Sequence, residues 1–319
     1  MTKWSAAGGF LAATLLFAAT AWGQVAAPSL TPFDFVPENP AVMQWGSPSR
    51  IGAAAGQAQA VTTPSSTNPN PAKVNDDYSL TGGGIRLVGR YVSAAAQYSE
   101  LDSTTRPNNL AEYYQNAGAA LAFRLSRSLA VGAGQINQTS RWSQPGGSLR
   151  QEDQIPQLGL GLRLGEWFYL GGAAGEDYAT YKDSLTPANN FRTWHDVFKY
   201  GVGIRTSGTL VAHLEYYVVD YERYAKRNLL YAGKLTANTG VAEFNLGGFL
   251  LGYTMTHADR YSDAPATDTQ RLDIGYAPFN GLSVVARGQM DTQKYSASSG
   301  INNITTNSYA VLITYLFST

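Results

Sequence analysis

Three histidines, His195, His213 and His257, are the first candidates for proton transfer or metal binding. His257 precedes Ala258-Asp259, with Ser262 close by, the raw material of a hydrolase triad. No nucleophile signature surrounds Ser262, and Asp196 beside His195 is a lone neighbour. No histidine pair has metal-ligand spacing, no glycine-rich phosphate loop leads from a strand into a helix, and cysteine is absent. The expectation is a protein that is not an enzyme and carries no catalytic residue, metal or cofactor.

The remaining chemistry is charge, and charge is scarce. Charged residues are 14% of the 319, against about 25% in an ordinary soluble domain. Lys plus Arg and Asp plus Glu are each 23, so the formal charge is zero. No basic excess exists to neutralise phosphates, which excludes nucleic acid as a partner. Yet the chain is not greasy: hydrophobic residues are 44% and the mean hydropathy is −0.20. A helical membrane bundle needs several apolar runs of about 20 residues, and only Ser5–Trp22 is one. Aromatics, at 12% and spread along the chain, argue against disorder.

The scarce charges fall on one parity of alternating segments. Leu282, Val284, Ala286, Gly288 and Met290 share a face, with Ser283, Arg287, Gln289 and Asp291 opposite. Leu272, Ile274 and Tyr276 oppose Arg271 and Asp273. Phe198, Tyr200, Val202 and Ile204 oppose Lys199 and Arg205. Leu210, Ala212, Leu214, Tyr216 and Val218 stand against His213 and Glu215. Arg124 and Arg163 likewise face away from Phe123 and Leu164. One face of each segment is thus uniformly apolar.

The connections decide what that face meets. Read back from the C-terminus they alternate long and short: Ser296–Asn303 long, Pro278–Gly281 tight, Asp259–Asp268 long, Gly247-Gly248 tight. The series continues through Tyr221–Asn228, Thr206–Gly208, Lys182–Asn190, Gly165-Glu166, Ser140–Asp153, Ser126–Ser128, Asp102–Gln115 and Gly89-Arg90 to Val61–Ser79. Short periplasmic turns and long extracellular loops are the habit of outer-membrane barrels. Thirteen connections predict fourteen strands over residues 50–319, an all-β, antiparallel transmembrane β-barrel. Each strand with its connection then averages about 19 residues, enough for a crossing of about 10. The lumen receives Arg124, Arg163, Lys199, Arg205, His213, Glu215, Arg271, Asp273, Arg287 and Asp291. Such mixed signs are expected to form salt-bridged networks filling the barrel, or else a ring in a water-filled pore. The first two segments, Arg50–Ala60 and Gly83–Gly89, have the least facial contrast.

The N-terminus divides in two. Lys3, the apolar run and small residues at Ala21 and Gly23 predict an export signal over residues 1–23. Residues 24–49 carry Pro28, Pro32, Pro37, Pro40 and Pro48, a density that neither helix nor central strand tolerates. This segment is expected to lie below or within the lumen as a plug, using Phe33, Phe35, Val36, Val42, Met43 and Trp45. At the other end, Tyr309, Val311, Ile313, Tyr315 and Phe317 resemble the terminal-strand signature read by the bacterial outer-membrane assembly machinery, although Ser318 and Thr319 follow.

Asn39-Pro40-Ala41, ahead of the first of fourteen strands, resembles the motif in the N-terminal hatch of the FadL/TodX (OMPP1) family of hydrophobic-compound transporters. The plug and the loops are shorter here than in that family. The resemblance implies a monomeric barrel among outer-membrane lipids, with a hatch formed by Phe33, Phe35, Asn39, Pro40, Ala41, Met43 and Trp45. It also implies uptake of hydrophobic small molecules such as long-chain fatty acids or hydrocarbons. The alternatives are a water-filled diffusion porin or a barrel sheathing a partner protein.

Overall fold

The computed structural model describes residues 24–31, 34–45, 48–63, 75–103, 111–144, 146–224, 233–259, 266–294 and 303–317. Fourteen strands account for most of them. They are β1 (Ser49–Thr63), β2 (Asn75–Val88), β3 (Val92–Ser103), β4 (Ala111–Arg124), β5 (Leu129–Gln144), β6 (Gly147–Leu164) and β7 (Phe168–Asp183), then β8 (Phe191–Arg205), β9 (Leu210–Tyr224), β10 (Gly233–Leu246), β11 (Phe249–Ala258), β12 (Ala266–Tyr276), β13 (Gly281–Lys294) and β14 (Asn303–Phe317). Every neighbour in sequence is an antiparallel neighbour in space, and β1 also pairs with β14, so the sheet closes. Closure leaves no sheet edge, which lipid requires because its hydrocarbon offers no hydrogen bonds.

The outward face is the apolar parity. Leu121, Leu160, Val202, Leu251, Ile274 and Val311 all stand exposed around the wall. A soluble monomer does not present a continuous apolar surface of this extent, whereas a membrane-spanning barrel must. Aromatics fringe it at both ends: Trp167, Phe249, Tyr276 and Tyr315 at the short-turn end, Tyr98, Tyr178 and Tyr253 toward the long-loop end. Past the second fringe the outward side chains become ionic, as in Arg150–Glu152–Lys182 and His257–Asp268–Lys294.

Short-turn hairpins are closed by residues that accept left-handed backbone. Gly247 and Gly248 have φ of +57° and +98° and join Leu246 directly to Phe249, the geometry two-residue hairpins favour. The two segments of weak contrast are complete strands, with β1 paired to β14 from Ser49↔Phe317 to Thr63↔Asn303. The barrel therefore starts at Ser49 rather than Arg50. One connection differs from expectation. Ser140–Asp153 is not a long loop: β5 runs to Gln144, β6 starts at Gly147, and Gly146 at φ +93° turns the chain. Pairs such as Thr139↔Glu152 and Arg141↔Arg150 continue the ladder beyond the apolar belt. There neither face meets lipid, so the strand has no apolar alternation to betray it.

The interior is not empty. Residues 24–31 and 34–45 fold inside the barrel, and Val25, Ala26, Ala27, Val36, Ala41, Val42 and Met43 are fully buried. A short 3-10 helix, Pro40–Gln44, is the plug's regular element. It packs Val36 and Met43 against Ala95, Ala120 and Ala122, and Ala41, Val42 and Trp45 against Ala130 and Tyr169.

Candidate functional site

The plug is seated first by absence of side chains in the wall. A Cβ on Gly132 would lie 2.6 Å from the Ala41 nitrogen, and one on Gly84 would lie 2.6 Å from the Phe35 ring. Gly159 and Gly171 face Asn39 and Val25 more closely still. Backbone can approach backbone here because glycine leaves the space.

Asn39 then ties the plug to itself and to the wall. Its Oδ1 accepts from Ala41 N–H at 3.1 Å, capping the 3-10 helix. Its Nδ2 donates to the carbonyls of Val25 at 2.8 Å and Leu160 at 2.9 Å. Pro40 occupies the first helical position, where its missing N–H costs nothing. Ala41 brings its nitrogen onto Gly132 and its methyl group against Gly161. The three residues of the motif thus each meet a separate steric or hydrogen-bonding demand.

The lumen charges supply the rest of the grip, and they hold main chain. Glu215 Oε1 accepts from Val25 and Ala26 N–H at 2.7 and 2.6 Å. Glu243 accepts from Leu30 N–H at 2.6 Å and from the hydroxyls of Ser29 and Thr31 at 2.6 and 2.7 Å. His213 lies between these two carboxylates, 2.7 Å from Glu243 and 3.3 Å from Glu215. Arg50 donates to the carbonyls of Thr31 at 3.1 Å and Asp34 at 2.6 Å. Arg86 donates to the carbonyls of Phe35 at 2.6 Å and of Asp34. Arg205 reaches the Pro28 carbonyl at 3.3 Å, and Arg124 the Gln44 carbonyl at 3.4 Å, stacked over Trp45 at 5.5 Å. Lys199 pairs with Glu38 and donates to Gln157 at 2.8 Å. Asp273 accepts from Arg287 at 2.7 Å and lies 3.2 Å from Arg271, both arginines being 3.9 Å from Asp34. Such charge-assisted bonds are about twice as strong as neutral ones.

Seven of the ten charges expected in the lumen therefore meet the plug, and His213 joins two carboxylates that hold it. Arg163 and Asp291 do not. Arg163 stacks over Tyr169 at 5.8 Å and donates to the Glu166 carbonyl in its own turn. Asp291 lies toward the long-loop end and accepts from Thr269 at 2.6 Å and Gln289 at 2.9 Å. Arg271, Asp273 and Arg287 pair with one another, while most of the others engage the plug. Phe33 falls outside the described residues. Phe35, Met43 and Trp45 are buried.

Sequence reasoning missed Glu243, Arg50, Arg86, Asp34 and Glu38. Glu243 shares a parity with Val241 and Asn245, opposite Ala242 and Phe244, and the same alternation rule finds it. Arg50 and Arg86 lie in the two strands of low contrast. His195, dismissed on sequence, is buried with Asp177 at 3.2 Å. His257 bonds Asp268 at 2.7 Å on the exposed outer wall, with Asp259 at 3.3 Å, so its acidic neighbours form a surface ion cluster. Ser262 falls outside the described residues. Among those residues no group of three or more His, Asp or Glu has the disposition of a metal site.

Above the plug the lumen opens into a cleft against β2 to β5. Leu80, Leu101 and Tyr114 give it apolar walls, while Ser99, Asn116 and Gln138 give it polar ones. Across the lumen Val197, Tyr217, Val219 and Tyr221 make a second apolar patch. On β14, Tyr309, Val311, Ile313 and Tyr315 all face outward, and the Phe317 ring stacks on Tyr315 at 6.3 Å.

A closed barrel with its own N-terminal segment clamped in the lumen is a plugged transmembrane barrel. No known protein-family pattern matches the sequence, and no curated protein does. Solved structures match along nearly the whole chain. The toluene transporter TodX of P. putida has a TM-score of 0.58 at 8% identity, over 94% of this chain and 98% of its own. A Pseudomonas aeruginosa FadL homologue scores 0.56 at 12% identity, over 92% and 96%. The CymD monoaromatic hydrocarbon channel scores 0.51 at 12% identity, over 87% and 91%. At these identities the likeness establishes a shared fold.

Proposed function

We propose that this chain is an outer-membrane transporter of the FadL/TodX type that takes up hydrophobic small molecules. The observation that carries the reading is the plugged lumen with apolar patches above the plug. A water-filled porin has no use for a clamped segment across its bore. A hydrophobic ligand does, because it needs a dry resting place rather than a column of water. The fold is shared with a toluene transporter and a monoaromatic hydrocarbon channel, which supports that substrate range. In this reading residues 1–23 direct export, residues 24–48 are the hatch, and the short turns face the periplasm. The outward aromatics of β14 serve recognition by the assembly machinery, and the apolar belt meets outer-membrane lipid. Transport requires the plug to shift, since its contacts span the lumen.

The test is conductance in planar bilayers. The intact protein is expected to conduct little, and deletion of residues 24–48 to produce open-channel steps. Large steady currents through the intact protein would overturn the reading in favour of a diffusion porin. Mass spectrometry of the purified protein is expected to find a hydrophobic small molecule bound.

A further inference from the structure

The lumen is electrically divided along its axis. Arg50, Arg86, Arg124, Arg163 and Arg205 lie at the short-turn ends of their strands, and Lys199, Arg271 and Arg287 near the middle, all at or below the plug. Glu112, Asp153, Asp177 and Asp291 lie on the same inward parity but toward the long-loop ends. His195, in that upper half, is paired with Asp177. The vestibule that a ligand meets first is therefore acidic.

The cleft adds a second, independent observation. Asn116 contributes to its wall, and the Asn116 Oδ1 is buried with no hydrogen-bond partner. The next inward residue of β4 toward the plug, Gly118, is in reach of Val36, so Asn116 stands just above the plug surface. At the outer end of the same strand face, the Glu112 carboxylate accepts from the hydroxyls of Tyr78 at 2.7 Å and Tyr114 at 3.2 Å. The cleft thus offers apolar faces from Leu80, Leu101 and Tyr114 and an unused acceptor at its floor, with the Glu112 carboxylate beyond Tyr114. A bare hydrocarbon would cover the Asn116 acceptor without bonding it, and leaving a buried acceptor unmet is unfavourable. A carboxylate would approach four acids.

We propose that the cleft receives a neutral single-ring aromatic carrying one hydrogen-bond donor, of the phenol type, with the donor on Asn116 Oδ1 and the ring against Leu80, Leu101 and Tyr114. The proposal rests on the uptake reading above and narrows its substrate class.

Equilibrium dialysis of the full-length protein in nanodiscs tests it, with empty nanodiscs correcting for partition. Three probes of similar size are compared: phenol, toluene and benzoate. Phenol is expected to bind about tenfold more tightly than toluene, the order of one hydrogen bond to an otherwise unmet group, with benzoate weakest. Asn116→Leu should remove the preference for phenol while sparing toluene. Glu112→Gln should raise benzoate binding and leave the phenol-to-toluene ratio unchanged. Heat-modifiable gel mobility verifies that each variant is folded, and Leu121→Val on the outward face of β4 serves as a second variant expected to retain the preference. Toluene binding as tightly as phenol, or benzoate binding best, would overturn the proposal while leaving hydrophobic uptake standing. Failure of all three probes to bind would overturn both.

Discussion

Glu243 gathers more of the plug's polar groups than any other single wall residue described above. It accepts from Ser29, Leu30 and Thr31 and also faces His213 at 2.7 Å. Removing one partner of a buried, hydrogen-bonded charge costs about 3–5 kcal/mol, because the others remain dry and unmatched. Glu243→Ala is therefore expected to loosen the plug while sparing the wall. Hydrogen exchange should quicken at Leu30 and Thr31, with the strand amides of β9 and β10 unchanged. Unaltered protection at those two plug residues would show that the grip lies elsewhere. Of this residue-level machinery the wall side was legible in sequence, because period-two alternation puts Arg271, Asp273 and Arg287 on one face. The plug side was not. Asp34 and Glu38 sit in a proline-rich segment that has no repeat from which a direction can be read.

At the level of elements, wall and plug fit because inward glycines interrupt otherwise ordinary strands. Gly159 of β6 is one such case, since a side chain there would strike the Asn39 amide and lie 3.0 Å from the Pro40 ring. Gly159→Val should unseat the plug without opening the sheet, as a β-branched residue suits strand backbone. The expected signs are faster proteolysis within residues 24–45 and higher bilayer conductance. The matched control is Gly172→Val on β7, whose Cβ would face outward in ordinary contact with the Lys199 carbonyl at 3.4 Å. It should change neither. Equal effects from both substitutions would refute a seat built from glycine. Strand existence was legible almost throughout, but the upper hairpin at Gly146 was not. Alternation reports the contrast between lipid and lumen, and Thr139, Arg141 and Glu152 stand beyond the lipid where that contrast ends.

The whole molecule is a surface inverted relative to a soluble protein: apolar outside, charged within. Its low charged fraction, 14%, follows from reserving one parity of the belt strands for lipid. Leu272, outward on β12 and 43% exposed, lies in that belt. Leu272→Arg should destabilise the inserted barrel by about 2–4 kcal/mol if it lies near the bilayer midplane. Urea titration of folding into lipid vesicles measures the loss, and an undiminished midpoint would place the residue outside the hydrocarbon. Inside, by contrast, the wall grips mostly what every residue possesses: the N–H groups of Val25, Ala26 and Leu30 and the carbonyls of Pro28, Thr31, Asp34 and Phe35. A clasp on peptide groups is indifferent to much of the text it holds. Substitutions can accumulate along such a segment over generations without dislodging it, provided the few sites that need small or amide side chains are kept. That tolerance offers one physical route by which this architecture persists between lineages that share only 8–12% of their residues.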